Sequence, residues 1–141
     1  MAERIAVIDY GAGNIRSVVK AIERAASDLG REVQLMATGS ADAVAGADRI
    51  VLPGVGAFGQ CATALRAVPG LEETLVRRVI DEGAPFLGIC VGMQLLARRG
   101  EEHGTHRGLG WIPGDVVRIA PHDPMMKVPH MGWGRVSLRM P

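Results

Sequence analysis

The chain has 141 residues, 48% of them hydrophobic, and a formal net charge of +1. That length fits a single domain with one hydrophobic core across residues 1–141, and the near-neutral balance leaves no electrostatic footprint for nucleic acid or an acidic membrane surface. Two cysteines without a Cys-x-x-Cys pattern, no signal-peptide pattern and no apolar run near the ~18 residues of a membrane span point to a reducing, cytoplasmic setting.

In chain order, strands and helices alternate. Residues 4–10 predict a buried strand, followed by the loop Gly11-Ala12-Gly13-Asn14. Asn14 is suited to cap a helix whose apolar residues Ile15, Val18, Val19, Ile22 and Ala26 recur at three and four, with Gly30 at its end. Residues 32–36 read as a second strand, 42–45 as a short helix and 49–52 as a third strand. Gln60-Cys61-Ala62-Thr63-Ala64-Leu65 reads as one helix in which Cys61 packs inward. Residues 72–82 have helical spacing through Leu71, Leu75, Val79 and Ile80, close on Gly83, and lead into a strand before Cys90. Crossover connections of this kind predict an α/β fold with a mainly parallel sheet and helices on both faces. Ligands of such sheets gather beyond the carboxyl ends of the strands, where the unusual loops of this sequence fall. The basic pairs Arg77-Arg78 and Arg98-Arg99 read as solvated faces or helix ends.

The most informative stretch is Gly88-Ile89-Cys90-Val91-Gly92. An apolar strand meets a thiol between two glycines and a helix-forming stretch comes next, which is the pattern of a nucleophile elbow: the glycines let strand and helix approach around a strained turn and the apical side chain projects outward. Cys90 then lies at the amino end of the next helix. The dipole there is worth only ~0.3 to 1 kcal/mol, less than one pKa unit, so a general base is still required. The plain alternative is an inert core thiol, which would not need a glycine two residues away on each side.

The run Pro53-Gly54-Val55-Gly56-Ala57-Phe58-Gly59, directly after a strand, lets backbone N–H groups approach a ligand. Attack by Cys90 on a carboxamide carbon places negative charge on the former carbonyl oxygen. Two aimed N–H donors would stabilise it, and they are assigned to Val91 and the Val55 region. Taken alone, this loop reads as a tight strand-to-helix turn; beside an elbow, the donor reading gains weight. Other chemistries fit poorly. Gly11-Ala12-Gly13 begins like a dinucleotide fingerprint, but Arg16 stands where its third glycine belongs. A Cys-x5-Arg phosphatase signature fails at Leu96. His103, His106, His122 and His130 lie in loop-like stretches without a metal-ligand spacing, so no metal or cofactor is expected.

Four motifs, Asp9-Tyr10-Gly11-Ala12-Gly13-Asn14, Leu52-Pro53-Gly54-Val55-Gly56-Ala57-Phe58, the segment Leu87-Gly88-Ile89-Cys90-Val91-Gly92-Met93-Gln94-Leu95-Leu96, and Lys127-Val128-Pro129-His130-Met131-Gly132-Trp133, resemble the glutaminase subunits of imidazole glycerol phosphate synthases. The elbow alone indicates the wider class I glutamine amidotransferases, with their flavodoxin-like sheet; the first and last motifs narrow the likeness. The resemblance implies a glutaminase that forms a glutamyl thioester on Cys90. It would release ammonia to a synthase partner of (β/α)8-barrel fold, in a heterodimer that makes imidazole glycerol phosphate and aminoimidazole carboxamide ribotide for histidine biosynthesis. It further implies that Gln94, Gly54 and Gly56 help hold glutamine, and that Asn14, His130, Met131 and Trp133 face the partner. Gln94, four residues beyond Cys90, would share its helix face. Core packing is the other reading of Met131 and Trp133.

Two departures accompany the likeness. Gly134 stands where the family usually has asparagine. The family's base and orienting carboxylate form a His-x-Glu pair, whereas here the positions two beyond each histidine are Thr105, Gly108, Pro124 and Gly132. The resemblance therefore implies an amino-terminal two-thirds of a longer subunit, with an exposed sheet edge and little turnover by itself. A non-catalytic binding subunit is one alternative. Another elbow-cysteine enzyme of related α/β fold, of the chaperone or deglycase kind, is the other.

Overall fold

A computed structural model describes residues 2–123, 125–137 and 139; Met1 and Pro141, the outer limits of the expected domain, lie outside the described residues. Four strands, β1 (Glu3–Ile8), β2 (Val33–Thr38), β3 (Arg49–Gly54) and β4 (Phe86–Cys90), form a sheet in the order β2-β1-β3-β4, and every pairing in it is parallel. The connections run through α1 (Ile15–Asp28), α2 (Ala41–Ala45), α3 (Phe58–Ala67) and α4 (Leu71–Leu75). A turn of π-helix, Val76–Asp81, extends α4.

Side chains of a strand point alternately to opposite faces, so β1 feeds two separate clusters. Ile5 and Val7 pack with Val51 against Ile15, Val18, Val19 and Ile22 of α1. Ala6 and Ile8 point the other way, with Ile50 and Leu52, into the larger cluster of Val44, Phe58, Cys61, Leu65, Leu71 and Leu75. Helices thus cover both faces of the sheet, and each fully buried Leu, Ile or Phe contributes roughly 1.5–3 kcal/mol through the apolar area it removes from water. The predicted caps are present: the Asn14 side chain accepts from the Ser17 N–H at 3.4 Å, and Gly30 follows α1 with φ +62°. Cys61 is completely buried, as expected of a packing residue.

The structure differs from the sequence reading in the stretch after the elbow. The helix after the elbow, α5 (Val91–Gln94), has four residues, and Leu95 ends it. Leu95 is buried in the core and the chain turns at once into β5 (Ala97–Glu101), part of a second sheet with β6 (Thr105–Arg107) and β7 (Ile112–Val116) in the order β6-β5-β7. That sheet has no signature in the sequence. It is held partly by long-range ion pairs, with Asp115 of β7 accepting from Arg98 and Arg99 of β5. In addition, His106 is not in a loop: it lies in β6, and its ring packs so closely on Gly59 that a Cβ there would meet it at 2.6 Å.

Among the described residues β4 is an edge strand, bonded to β3 on one side, and Leu87 is half-exposed on it. No helix is long and apolar enough to cross a membrane.

Candidate active site

β3 and β4 run side by side in register from Ile50 and Phe86 to Gly54 and Cys90, so the glycine loop and the thiol emerge together at the carboxyl edge of the sheet. Close backbone approach makes this possible. A Cβ on Gly54 would sit 2.5 Å from the Gly92 nitrogen, one on Gly88 2.6 Å from the Met93 Cα, and one on Gly92 1.9 Å from the Leu52 carbonyl oxygen. Those three glycines let α5 rest directly on the ends of β3 and β4.

Cys90 is the apex. Its backbone has φ +56° and ψ −119°, a region that L-residues enter at a cost of about 1–3 kcal/mol and that persists only where the surroundings impose it. The residue is exposed and its thiol is free. Because α5 has only four residues, its dipole does little for the thiolate. What the helix start does supply is unpaired N–H groups, since the first N–H groups of any helix have no partner within it. Val91, the first helical residue, is buried and carries one of them. On the other side of the turn, Val55 is exposed and Gly56 has φ +91°.

Beside the elbow lies a cavity of about 630 Å³ whose lining includes Gly56, Val91, Gln94, Glu101, Glu102 and His103 and, from the end of β7 onward, residues 116–118. It is large enough for an amino acid. Gln94, the last residue of α5, lines it, so Gly56, Val91 and Gln94 of the sequence reading are brought to one cavity. Gly54 and Cys90, paired at the ends of β3 and β4, are the chain neighbours of Val55 and Val91 and are not themselves in its lining.

The acidic wall was not anticipated. Glu102 accepts from the Phe58 N–H at 2.9 Å, which draws the β5–β6 turn across to the start of α3, 44 residues earlier. In sequence the pair Glu101-Glu102 reads as a solvated charge; its only local signal is the glycine that follows His103. Among the described residues no group of three or more His, Cys, Asp or Glu side chains is placed to hold a metal ion.

The residues that the resemblance turns towards a partner lie apart from this cavity. Asn14 caps α1 in the loop beyond β1. His130, Met131 and Trp133 come after β7 in an irregular segment, and all three are exposed among the described residues. Apolar side chains are exposed through much of that segment, including Met125, Met126 and Val136.

Comparison with known proteins gives the chain's family and a likeness of fold. The family model for glutamine amidotransferase class-I matches residues 6–136. The chain is 57% identical over 134 residues to imidazole glycerol phosphate synthase subunit HisH of Zymomonas mobilis, covering 95% of this chain and 62% of that protein. It is 52% identical over 136 residues to the proteins of the same name from Agrobacterium fabrum and Rhodospirillum rubrum, covering 96% of this chain and 63% and 64% of theirs. The chain thus spans a little under two-thirds of the length of these relatives. A solved structure described as a crystal structure of glutamine amidotransferase superposes with a TM-score of 0.61 at 23% identity, covering 84% of this chain and 59% of that one, a likeness of fold.

Proposed function

The chain belongs to the glutamine amidotransferase class-I family, and from that premise we propose that it is the glutaminase part of an imidazole glycerol phosphate synthase. The observation that carries this reading is Cys90 at φ +56°, in register with Gly54 and next to the cavity that holds Gln94.

Glutamine enters with its side-chain amide towards the elbow. The Cys90 sulfur bonds to the amide carbon, and the charge that develops on the amide oxygen is met by the N–H groups of Val91 and Val55. The carbon–nitrogen bond then breaks. Nitrogen leaves as ammonia, carrying the proton that the thiol gave up, and a glutamyl thioester remains. Water adds its hydroxyl to the acyl carbon and its proton to sulfur, giving glutamate and the free thiol. Gly54, Gly56 and Gln94 hold the substrate, and the carboxylates of Glu101 and Glu102 suit its ammonium group. A base that takes the thiol proton is a separate requirement of this chemistry.

Ammonia is useful only if it is delivered before it is protonated and lost in water, which favours a partner docked on the enzyme. In this proposal the partner is a synthase subunit of (β/α)8-barrel fold, forming a heterodimer in the cytoplasm, and it is met by Asn14, His130, Met131 and Trp133. The exposure of Met131 and Trp133 supports that role, because an interface is enriched in aromatic residues and methionine.

A diazoketone analogue of glutamine is expected to alkylate Cys90 and not Cys61, with glutamine protecting, as read by peptide mass spectrometry. Iodoacetamide labelling of Cys90 without any labelling by the analogue would overturn the reading.

A further inference from the structure

Two buried side chains that the reaction itself does not use converge under the glycine loop. The Tyr10 hydroxyl, two residues beyond β1, donates to the Pro53 carbonyl at 2.8 Å, and the Cys61 thiol, in α3, donates to the Val55 carbonyl at 3.2 Å. Tyr10 is 6% exposed and Cys61 0%. The two carbonyls belong to the peptide groups on either side of the one that joins Gly54 to Val55, which carries the Val55 N–H. Both flanking peptides are therefore fixed from below by protein donors, while Gly54 is fixed sideways by its ladder with Cys90.

We propose that Tyr10 and Cys61 are positioning residues that set the direction of the Val55 N–H towards the oxygen of the substrate amide. This inference rests on the glutaminase reading of the site. Glycine at positions 54 and 56 leaves the loop free to rotate, so a donor aimed at a developing charge requires restraint from elsewhere, and preorganised donors are effective because they need not reorient during the reaction. The pair is suited to the task. A buried carbonyl with no donor is costly, so Pro53, whose side chain is completely buried, keeps its bond to Tyr10. Burial, and then the neighbouring Cys61 thiol, hold the Tyr10 hydroxyl well above its ordinary value, so it remains a neutral donor over the working range of pH.

The test uses the whole chain with Tyr10→Phe, Cys61→Ala and Cys61→Ser, the last keeping a donor at the same place. Two rates are measured at Cys90: labelling by the diazoketone analogue over a range of concentrations, and labelling by iodoacetamide. Tyr10→Phe and Cys61→Ala are expected to lower the maximal analogue rate about tenfold each, with the half-saturating concentration and the iodoacetamide rate nearly unchanged, and Cys61→Ser is expected to restore the rate. Equal slowing with both reagents, or no slowing with either, would overturn the proposal.

Hydrogen exchange at the Gly54, Val55 and Gly56 amides gives a second readout that does not depend on the glutaminase reading. Exchange should quicken in Tyr10→Phe and Cys61→Ala relative to Cys61→Ser, and unchanged exchange in all three would overturn the proposal. Failure of the unaltered chain to react with the analogue, with the exchange pattern as expected, would instead count against the glutaminase reading alone.

Discussion

Gly92→Ala is expected to lower the stability of the chain by about 3 kcal/mol, the upper end of what overpacking typically costs. The reason is that the added Cβ would lie 1.9 Å from the Leu52 carbonyl oxygen and 2.8 Å from its carbon. Neither is the end of a flexible side chain. Leu52 lies in the middle of β3, is completely buried and belongs to the main core cluster, so relief must come from lifting α5 away from the sheet. Lifting α5 also withdraws the Val91 N–H, so the variant should lose analogue labelling at Cys90 even where it remains folded. Domains of this size are stable by only about 5–15 kcal/mol, and the change should be plain in a urea titration. An unaltered midpoint would mean that α5 does not rest on β3.

Cys90→Gly is expected to act in opposite directions on stability and reactivity. Labelling is abolished because no other exposed thiol exists among the described residues; Cys61 is buried. Stability should rise by about 1 kcal/mol, because glycine occupies positive φ without the strain of about 1–3 kcal/mol that other residues bear there, less the roughly 0.5–1 kcal/mol of extra chain entropy that glycine gives up on folding. Cys90→Ala serves as the control: it also abolishes labelling but keeps the strain, so its midpoint should lie below that of Cys90→Gly. Equal midpoints for the two variants would show that the turn is not strained.

What the sequence disclosed and what it concealed divide along a physical line. Asn14 as a cap, the spacing of Ile15, Val18, Val19 and Ile22, and the glycines around Cys90 are requirements that a few neighbouring residues impose on one another, so each is readable where it stands. The parallel sheet was legible through the same local signals, repeated. The second sheet is different. Residues 97–101 read Ala-Arg-Arg-Gly-Glu, with no apolar alternation. They become a strand because Asp115 collects both arginines and because Gly100 fits under Phe58, whose ring a Cβ there would meet at 2.5 Å. Those partners are remote in sequence.

The same holds at the site. The sharp turn at Cys90 was legible from the glycines two residues away on either side, and the close approach of β3 to it from the glycines beside Val55. The acidic wall of the cavity was not, because Glu102 is brought there by a single hydrogen bond to the Phe58 N–H. Leu95 and Leu96, which continue a helical pattern in sequence, leave the helix because the core takes Leu95 and the second sheet begins immediately after it.

The central claim is that the sulfur of Cys90 and the amides of Val55 and Val91 together form a place for a tetrahedral carbon and its charged oxygen. The most direct measurement is a crystal structure of the chain with the γ-aldehyde analogue of glutamine, which adds to a thiol to give a tetrahedral carbon bearing one oxygen. The account predicts a sulfur–carbon bond at Cys90, with that oxygen about 2.7–3.1 Å from both the Val55 and the Val91 backbone nitrogens. An adduct whose oxygen faces solvent, with neither nitrogen in reach, would contradict it.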